Sequence, residues 1–223
     1  MKSGPITIIK YLTHLFLLTF ITIAHGQDPL RFAVEIEKLT RIEHSFNKKD
    51  KIILFTGSSS IRMWEDLQSC FPEHKIINNG FNNSHMSDLL YYVDELILNY
   101  SPDKIIIYEG DNDIASGKTT SEIIITTKEL IRKIERKIPD AEIILISVKP
   151  SPARWVLKEE YESLNKKFEI FGQKNNNVSY VDVWNAMLDE TGNPKKELFL
   201  NDGLHMNKSG YNLWGKEITK FLD

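Results

Sequence analysis

The chain has 223 residues, 41% of them hydrophobic, which is enough to form one α/β domain with a full buried core. Its 28 Lys and Arg residues and 31 Asp and Glu residues give a formal net charge of -3. No block of like charges favours a nucleic-acid backbone or an acidic lipid surface as the partner, so neutral small molecules or glycans are expected instead. Cys70 is the only cysteine, and the fold must therefore depend on packing rather than on an intrachain disulfide.

Residues 1–26 have the pattern of a cleavable export signal. Two lysines precede or flank an apolar stretch over Tyr11–Ala24, and small residues stand at Ala24 and Gly26, the two positions that a signal peptidase reads. A membrane anchor is the alternative, but about 14 apolar residues are fewer than the roughly 20 that span a bilayer. We therefore expect cleavage before Gln27, a secreted or periplasmic protein, and no stable membrane insertion.

The remaining chain, residues 27–223, is predicted to be one domain in which helices and strands alternate. An amphipathic helix is expected first, over Arg31–Phe46, because apolar residues recur there at helical spacing. Five short runs rich in β-branched residues predict buried parallel strands: Lys51–Thr56, Lys75–Asn78, Lys104–Tyr108, Glu142–Ser147 and Val178–Val183. Helical patterns lie between and after them, over Met86–Asn99, from a capping box at Thr119 and Glu122 to Pro139, over Glu159–Lys174 and from Asn207 onward.

This alternation predicts an α/β protein with a doubly wound, five-stranded parallel sheet in a three-layer α/β/α sandwich. In such a sheet, ligands bind at the carboxyl ends of the strands. Four polar clusters of the sequence follow predicted strands or precede the last helix, where this rule places a functional site.

The first polar cluster, Gly57-Ser58-Ser59-Ser60, follows the first predicted strand. Gly57 permits a tight strand-to-helix turn, and a serine on such a turn has an exposed hydroxyl beside free N–H groups of the helix. This position suits a nucleophile. A helix N-cap or an anion-binding loop fits the same residues, whereas a dinucleotide-binding loop is disfavoured because no G-x-G-x-x-G is present.

The second and third clusters follow the next two predicted strands. Asn78–Ser84 is by itself typical of an ordinary turn, since Asn and Gly are common where φ becomes positive. In Glu109–Asp113, the side-chain amide of Asn112 could donate to a developing oxyanion. The three acids of that cluster could instead bind a cation such as Ca²⁺, although no matching ligand spacing continues downstream.

The fourth cluster, Asn201–Asn207, comes directly before the last predicted helix. Asp202 precedes His205 by three residues, so its carboxylate can accept a hydrogen bond from the imidazole within one turn of chain. The other ring nitrogen is then free to face a serine. Alternatively, Asp202 is a helix N-cap and His205 an incidental surface residue.

Taken together, the four clusters resemble the four blocks of the SGNH, or GDSL-like, hydrolase family. The matching residues are Ser59 in the first block, Asn79–Asn83 in the second, Asn112 within Gly-Asp-Asn-Asp and His205 within Asp-Gly-Leu-His. The likeness extends in order from about Lys51 to Leu222. It implies the flavodoxin-like fold of that family and the activity of a serine esterase.

The resemblance also implies a role for each residue. Ser59 is the expected nucleophile, His205 the general base and Asp202 the group that orients His205. The expected oxyanion hole combines the N–H groups of Ser59 and Asn83 with the side-chain amide of Asn112. The reaction is a two-step acyl transfer for which no metal or cofactor is expected.

Two residues depart from the family pattern. The first block usually reads Gly-Asp-Ser, whereas this chain has Gly57-Ser58-Ser59, so Ser60 is kept as a less favoured nucleophile. Asn83 stands where the family has an oxyanion glycine. Its backbone N–H is retained, and asparagine tolerates a left-handed conformation better than most residues.

The substrate is less constrained than the chemistry. We expect short acyl esters, acetyl above all, on a small molecule or polysaccharide, with a lysophospholipase-like or general esterase as the alternative. Trp155 and Trp184 are candidates for an aromatic sugar-binding platform, and packing in the core or at its edge is the alternative for both. A catalytically silent glycan-binding module is the competing interpretation from another class.

Overall fold

The computed structural model describes residues 28–47 and 49–222, and the predicted export signal over residues 1–26 lies outside them. Within this part of the chain, none of the helices combines the length and the hydropathy that crossing a bilayer requires.

The sheet has five strands, all parallel, in the order β2-β1-β3-β4-β5. The strands are β1 (Ile52–Gly57), β2 (Lys75–Gly80), β3 (Lys104–Tyr108), β4 (Glu142–Ile146) and β5 (Val178–Val181). The chain runs outward from β1 to β2, then crosses to β3 on the other side of β1 and continues to β5. This confirms the predicted doubly wound parallel sheet.

Nine α-helices of the described chain surround the sheet. They are α1 (Ala33–Thr40), α2 (Ser59–Arg62), α3 (Leu67–Cys70), α4 (Met86–Tyr91), α5 (Val93–Leu96), α6 (Asp111–Ala115), α7 (Thr120–Lys137), α8 (Lys158–Gln173) and α9 (Lys208–Thr219). The capping box predicted at α7 is present, with Thr119 and Glu122 each accepting a backbone N–H of the other.

Two predicted helices differ from the structure. The first was expected over Arg31–Phe46. In the structure, a 3₁₀ turn over Pro29–Phe32 precedes α1, and α1 ends at Thr40. The apolar stripe does not continue in the folded chain, because Ile42 is 50% exposed. The helix expected over Met86–Asn99 is divided into α4, α5 and a further 3₁₀ turn, with the break at Tyr92, whose hydroxyl donates to the Pro29 carbonyl.

Alternate residues of each strand point to opposite faces of the sheet and form two separate cores. On one face, Leu54 and Ile105 pack with apolar residues of α1, α4, α5, α7 and α8. On the other, Phe55 and Tyr108 pack with residues of α2, α3 and α9, including the fully buried Trp214. Two helical layers thus enclose the sheet, which confirms the three-layer sandwich.

The carboxyl end of the central strand β1 is packed too closely for a side chain. Gly57 pairs with Gly80 on one side and Tyr108 on the other, and its φ is 120°. A Cβ atom at Gly57 would lie 2.0 Å from the Tyr108 carbonyl oxygen. Glycine is required here both for its backbone conformation and for the close approach of β3.

We predict that Gly57→Ala lowers the free energy of unfolding by more than about 3 kcal/mol, because backbone strain and a backbone clash add. Gly117→Ala is the matched control: its φ is 90°, but a Cβ atom there meets nothing within 4 Å. Backbone strain alone should cost Gly117→Ala roughly 1–2 kcal/mol. Urea unfolding of the two variants measures the difference, and equal losses would contradict the close-packing explanation.

Candidate active site

Ser59 is the first residue of α2 and follows β1 after the single residue Ser58. The extended backbone of Ser58 turns the chain into the helix, and its N–H donates to the Tyr108 carbonyl at 3.0 Å. The Ser59 hydroxyl lies 3.2 Å from Nε2 of His205, 146 residues further along the chain. Ser58 and Ser60 are each 2% exposed, against 9% for Ser59.

His205 is held by the loop that precedes α9. Its Nδ1 lies 2.6 Å from Oδ2 of Asp202, so one carboxylate oxygen faces the imidazole. The other oxygen, Oδ1, accepts the backbone N–H groups of Leu204 and His205 at 2.9 and 3.0 Å. Gly203, at φ 64°, allows the chain to turn back within these four residues. Asp202 thus shapes the loop and orients the imidazole at once.

The Asp202 carboxylate keeps its negative charge at neutral pH. Burial alone would raise its pKa, but the hydrogen bond with His205 and the two backbone N–H groups outweigh that effect and lower the pKa of Asp202 to about 2. The side chain is 48% exposed, so solvent weakens the electrostatic part of this pairing. An ionised carboxylate at this position stabilises a positively charged imidazole.

The loop after β2 brings Asn83 to the same edge of the sheet. The φ of Asn83 is 48°, the left-handed conformation that favours glycine and that asparagine tolerates. Only one other described residue besides glycines, Ser101, has positive φ. The backbone of Asn83 therefore adopts the conformation of a glycine position although the side chain is larger.

Asn112, in the first turn of α6 after β3, joins the third loop to the second. Its side-chain Nδ2 donates to the Ser84 carbonyl at 3.0 Å. Its Oδ1 accepts a hydrogen bond from Nη1 of Arg154 at 3.0 Å. The first, second and third polar clusters thus meet at the carboxyl edge, with the fourth reaching them through the contact between His205 and Ser59.

The three acids near Asn112 do not converge on a common point. Glu109 accepts the Ser84 hydroxyl at 2.5 Å, Asp111 pairs with Lys149 at 2.7 Å, and Asp113 pairs with Lys118 at 2.8 Å. Across residues 28–47 and 49–222, no group of three or more His, Cys, Asp or Glu side chains is arranged to hold a metal ion. The Ca²⁺ site considered as an alternative is therefore not formed by these acids.

Burial favours a raised pKa at two of these carboxyl groups, but the net shift is upward at only one of them. It raises the pKa of Glu109 well above its usual range, and the nearby charge of Asp113 adds to that rise. Burial also favours a raised pKa for Asp111, but the positive charges of Lys149 and Arg154 reverse the effect, so the pKa of Asp111 lies below its ordinary value. Asp111 is therefore an anion paired with two cations.

The sequence interpretation did not include Lys149, Arg154 or Tyr161, although all three contact Asp111. Lys149 and Arg154 follow β4, whose carboxyl end lies beside that of β3. Ligands bind at the carboxyl ends of parallel strands, and this rule applies to β4 as well. The two cationic residues that follow β4 could therefore have been predicted from the sequence to lie near the site.

The two tryptophans are stacked on one another, with ring centroids 5.7 Å apart and planes at 26°. Trp184 is 6% exposed and belongs to the core. Trp155 lines an open cavity of about 510 Å³ together with Pro152 and polar side chains that include Asn193 and Glu197. Of the two tryptophans, only Trp155 lines this cavity, with Trp184 stacked on its ring and Nζ of Lys158 5.1 Å from its ring centroid.

Comparison with known proteins decides the family. The model of the GDSL-like Lipase/Acylhydrolase family matches residues 55–213, which include all four polar clusters. The chain belongs to the GDSL-like lipase/acylhydrolase family. The predicted resemblance is thereby confirmed, and this GDSL-like acylhydrolase is a serine ester hydrolase.

Solved structures share the fold of this acylhydrolase. A Streptococcus pneumoniae protein described as a platelet activating factor has a TM-score of 0.76 and 25% identity, covering 86% of this chain and 92% of its own. A GDSL-like lipase from Bacteroides thetaiotaomicron has a TM-score of 0.71 and 22% identity, covering 86% and 96%. An acetyl-xylooligosaccharide esterase from Geobacillus, in a mutant form, has a TM-score of 0.64 and 16% identity, covering 76% and 93%.

One curated relative is longer than this acylhydrolase. An N-acylneuraminate cytidylyltransferase of Escherichia coli is 24% identical over 187 residues. The match covers 82% of this chain but only 43% of that protein. This chain therefore matches less than half of the protein to which that named activity belongs.

Proposed function

We propose that this GDSL-like acylhydrolase removes short acyl groups, acetyl above all, from carbohydrate esters. The observation that supports the chemistry is the chain of contacts from the Ser59 hydroxyl to His205 at 3.2 Å and from His205 to Asp202 at 2.6 Å. A serine hydroxyl, an imidazole and a carboxylate in this order are the components of nucleophilic acyl transfer.

In the proposed first step, the Ser59 oxygen attacks the ester carbonyl carbon while its proton passes to Nε2 of His205. Asp202 holds Nδ1–H and stabilises the positive imidazole that results. His205 then gives the proton to the leaving alcohol oxygen as the carbon–oxygen bond breaks, which leaves an acyl-Ser59 ester. In the second step, His205 takes a proton from water, the water oxygen attacks the acyl group, and the proton returns to Ser59 as the carboxylic acid departs.

Three donors are proposed for the oxyanion that forms in each step: the N–H groups of Ser59 and Asn83 and Nδ2 of Asn112. Within the described residues, neither of the two backbone N–H groups donates to a backbone acceptor. Nδ2 carries two hydrogens, of which the Ser84 carbonyl accepts one. One hydrogen from each of the three groups is thus available for an oxyanion.

The proposed carbohydrate substrate is supported by the cavity beside the loop that carries Asp202 and His205. Pro152 at the edge of that cavity packs close to Gly203, and the Ala153 N–H donates to the Gly203 carbonyl at 3.0 Å. Trp155 lines this cavity among polar side chains, a combination of aromatic and hydrogen-bonding groups that suits a sugar. The name of one similar protein, an acetyl-xylooligosaccharide esterase, also refers to an acetylated sugar.

Export is part of the proposal and is supported by the sequence of residues 1–26 alone. A secreted or periplasmic esterase would meet acylated polysaccharides or glycans outside the cytoplasm. A lysophospholipid ester is the second candidate substrate, because Val156, next to Trp155, is 90% exposed and could contact an acyl chain.

We predict that p-nitrophenyl acetate is hydrolysed faster than the octanoate ester at equal concentration by protein that begins at Gln27. The charged side chains among the lining residues, Asp189, Lys195, Lys196 and Glu197, should limit the binding energy that this cavity offers to a long alkyl chain. Ser59→Ala is the control on each ester, and absence of turnover above that control on every ester would favour a silent glycan-binding module. A clear octanoate preference would favour the lipid substrate, and acetate release from acetylated glycans beside fatty-acid release from lysophospholipids then identifies the class.

The two asparagines of the proposed oxyanion hole should respond differently to substitution. Asn83→Gly keeps the backbone donor and the left-handed conformation, so kcat should stay within about tenfold, or ~1.4 kcal/mol in barrier. Asn112→Ala removes a side-chain donor and should lower kcat by roughly 10²–10³ with a modest change in KM. Steady-state kinetics on p-nitrophenyl acetate measures both, with folding checked by circular dichroism. Equally large losses would mean that the Asn83 side chain contacts the substrate or the transition state.

A further inference from the structure

The side-chain amide of Asn112 forms a hydrogen bond at each end, and the two partners together permit only one orientation of the amide. Arg154 has only donors, so the Asn112 atom that faces it must be the oxygen, and the Ser84 carbonyl has only acceptor lone pairs, so the atom that faces it must be the nitrogen. Both distances are 3.0 Å. The contact with Arg154 therefore opposes any rotation that would turn the oxygen of the amide toward the reaction centre.

Arg154 is itself fixed by a buried anion. Its Nη1 donates to Oδ1 of Asp111 at 2.5 Å, and the Tyr161 hydroxyl donates to the same oxygen at 2.7 Å. Lys149, only 1% exposed, donates to Oδ2 at 2.7 Å. The Tyr108 hydroxyl also donates to Oδ2, at 2.9 Å. Because Asp111 is 3% exposed and accepts hydrogen bonds from four side chains, its position is set by the core rather than by solvent.

We propose that Arg154 is a positioning residue for the esterase reaction, acting through Asn112. Nη1 carries two hydrogens, and the structure directs one to Asp111 and the other to Asn112. Because Asp111 is fixed in the core and Arg154 contacts both side chains, Arg154 fixes the Asn112 amide of the proposed oxyanion hole relative to Asp111. This inference rests on the proposed role of Asn112 as an oxyanion donor.

The same contact strengthens the donor as well as orienting it. A positive guanidinium at the amide oxygen draws electron density from the amide, which makes its N–H groups better donors to an anion. The cluster of Lys149, Arg154 and Asp111 is also net positive, because the two cations contribute two positive charges against the one negative charge of Asp111. An oxyanion that develops at Asn112 is therefore favoured by a net positive environment.

Arg154→Met should lower kcat for p-nitrophenyl acetate roughly 10- to 50-fold, less than the ~10²–10³ expected for Asn112→Ala, because Ser84 still holds Nδ2. KM should change less than about threefold, since the small substrate loses no binding contact. Arg154→Lys keeps a charge beside Asp111 but lacks the planar guanidinium, so it should fold even if Arg154→Met does not, and kcat should again fall.

Tyr161→Phe is the matched control. It removes the hydroxyl that donates to the same carboxylate oxygen and to the Asp111 backbone carbonyl, and within the described residues this hydroxyl makes no hydrogen bond with Asn112. Its kcat should stay within about threefold of the parent while its unfolding midpoint falls. A kcat loss in Tyr161→Phe as large as that in the Arg154 variants would show a general loosening of the buried cluster and would overturn the inference.

A double-mutant cycle with Asn112→Ala gives the deciding comparison. If Arg154 acts through Asn112, adding either Arg154 substitution to Asn112→Ala should lower kcat by less than about twofold. Independent, multiplying losses would overturn the inference, as would an unchanged kcat in the Arg154 single variants. If Asn112→Ala itself keeps full activity, the proposed oxyanion role fails and the inference fails with it, a result distinct from a failure of Arg154 alone.

Discussion

Parallel pairing of β1 with β2 and β3 brings Gly57, Gly80 and Tyr108 into one row at the carboxyl edge of the sheet. Three connections leave the sheet from this row. The proposed nucleophile Ser59 and oxyanion donor Asn112 lie in the first turn of the helix that follows a strand, and Asn83 lies in the loop after β2. The row is possible only because Gly57 has no side chain to meet the Tyr108 carbonyl. The positions of Ser59, Asn83 and Asn112 thus depend on strand register as well as on the conformation of the connections.

Two aspartates at the proposed site stay ionised under opposite physical conditions. Asp202 is half-exposed and stays ionised because its own loop supplies two N–H groups and an imidazole. Asp111 is buried and stays ionised because a lysine and an arginine neutralise it. The first arrangement is local in sequence and leaves the imidazole free to move a proton, whereas the second is a rigid part of the core.

The fold could be predicted because its strands are continuous apolar runs between helical patterns, a signal that short buried parallel strands give strongly. The predicted strands have nearly the bounds that the structure shows. The two errors in predicting helices have one cause, which is that apolar spacing suggested continuous helices. In the structure, Ile42 is exposed and α1 has already ended, and the helical backbone is interrupted at Tyr92. Spacing alone does not say which apolar residues will be covered.

The same distinction applies to the site. The contact between Asp202 and His205 spans three residues and could be inferred from sequence, and the order of the four clusters suggested Ser59 as its partner. The contact of Arg154 with Asp111 spans 43 residues and depends on the adjacency of β3 and β4, which no local pattern encodes. The burial of Trp184 is likewise a property of the packed core.

The central claim is that Ser59, and neither neighbouring serine, is activated by His205. Its most direct test is to treat the purified chain with a fluorophosphonate and to map the adduct by peptide mass spectrometry. The account predicts one adduct on Ser59, with labelling strongly slowed in His205→Ala, because the hydroxyl would lose its base. An adduct on Ser60 or Ser58, or labelling of Ser59 that is independent of His205, would contradict it.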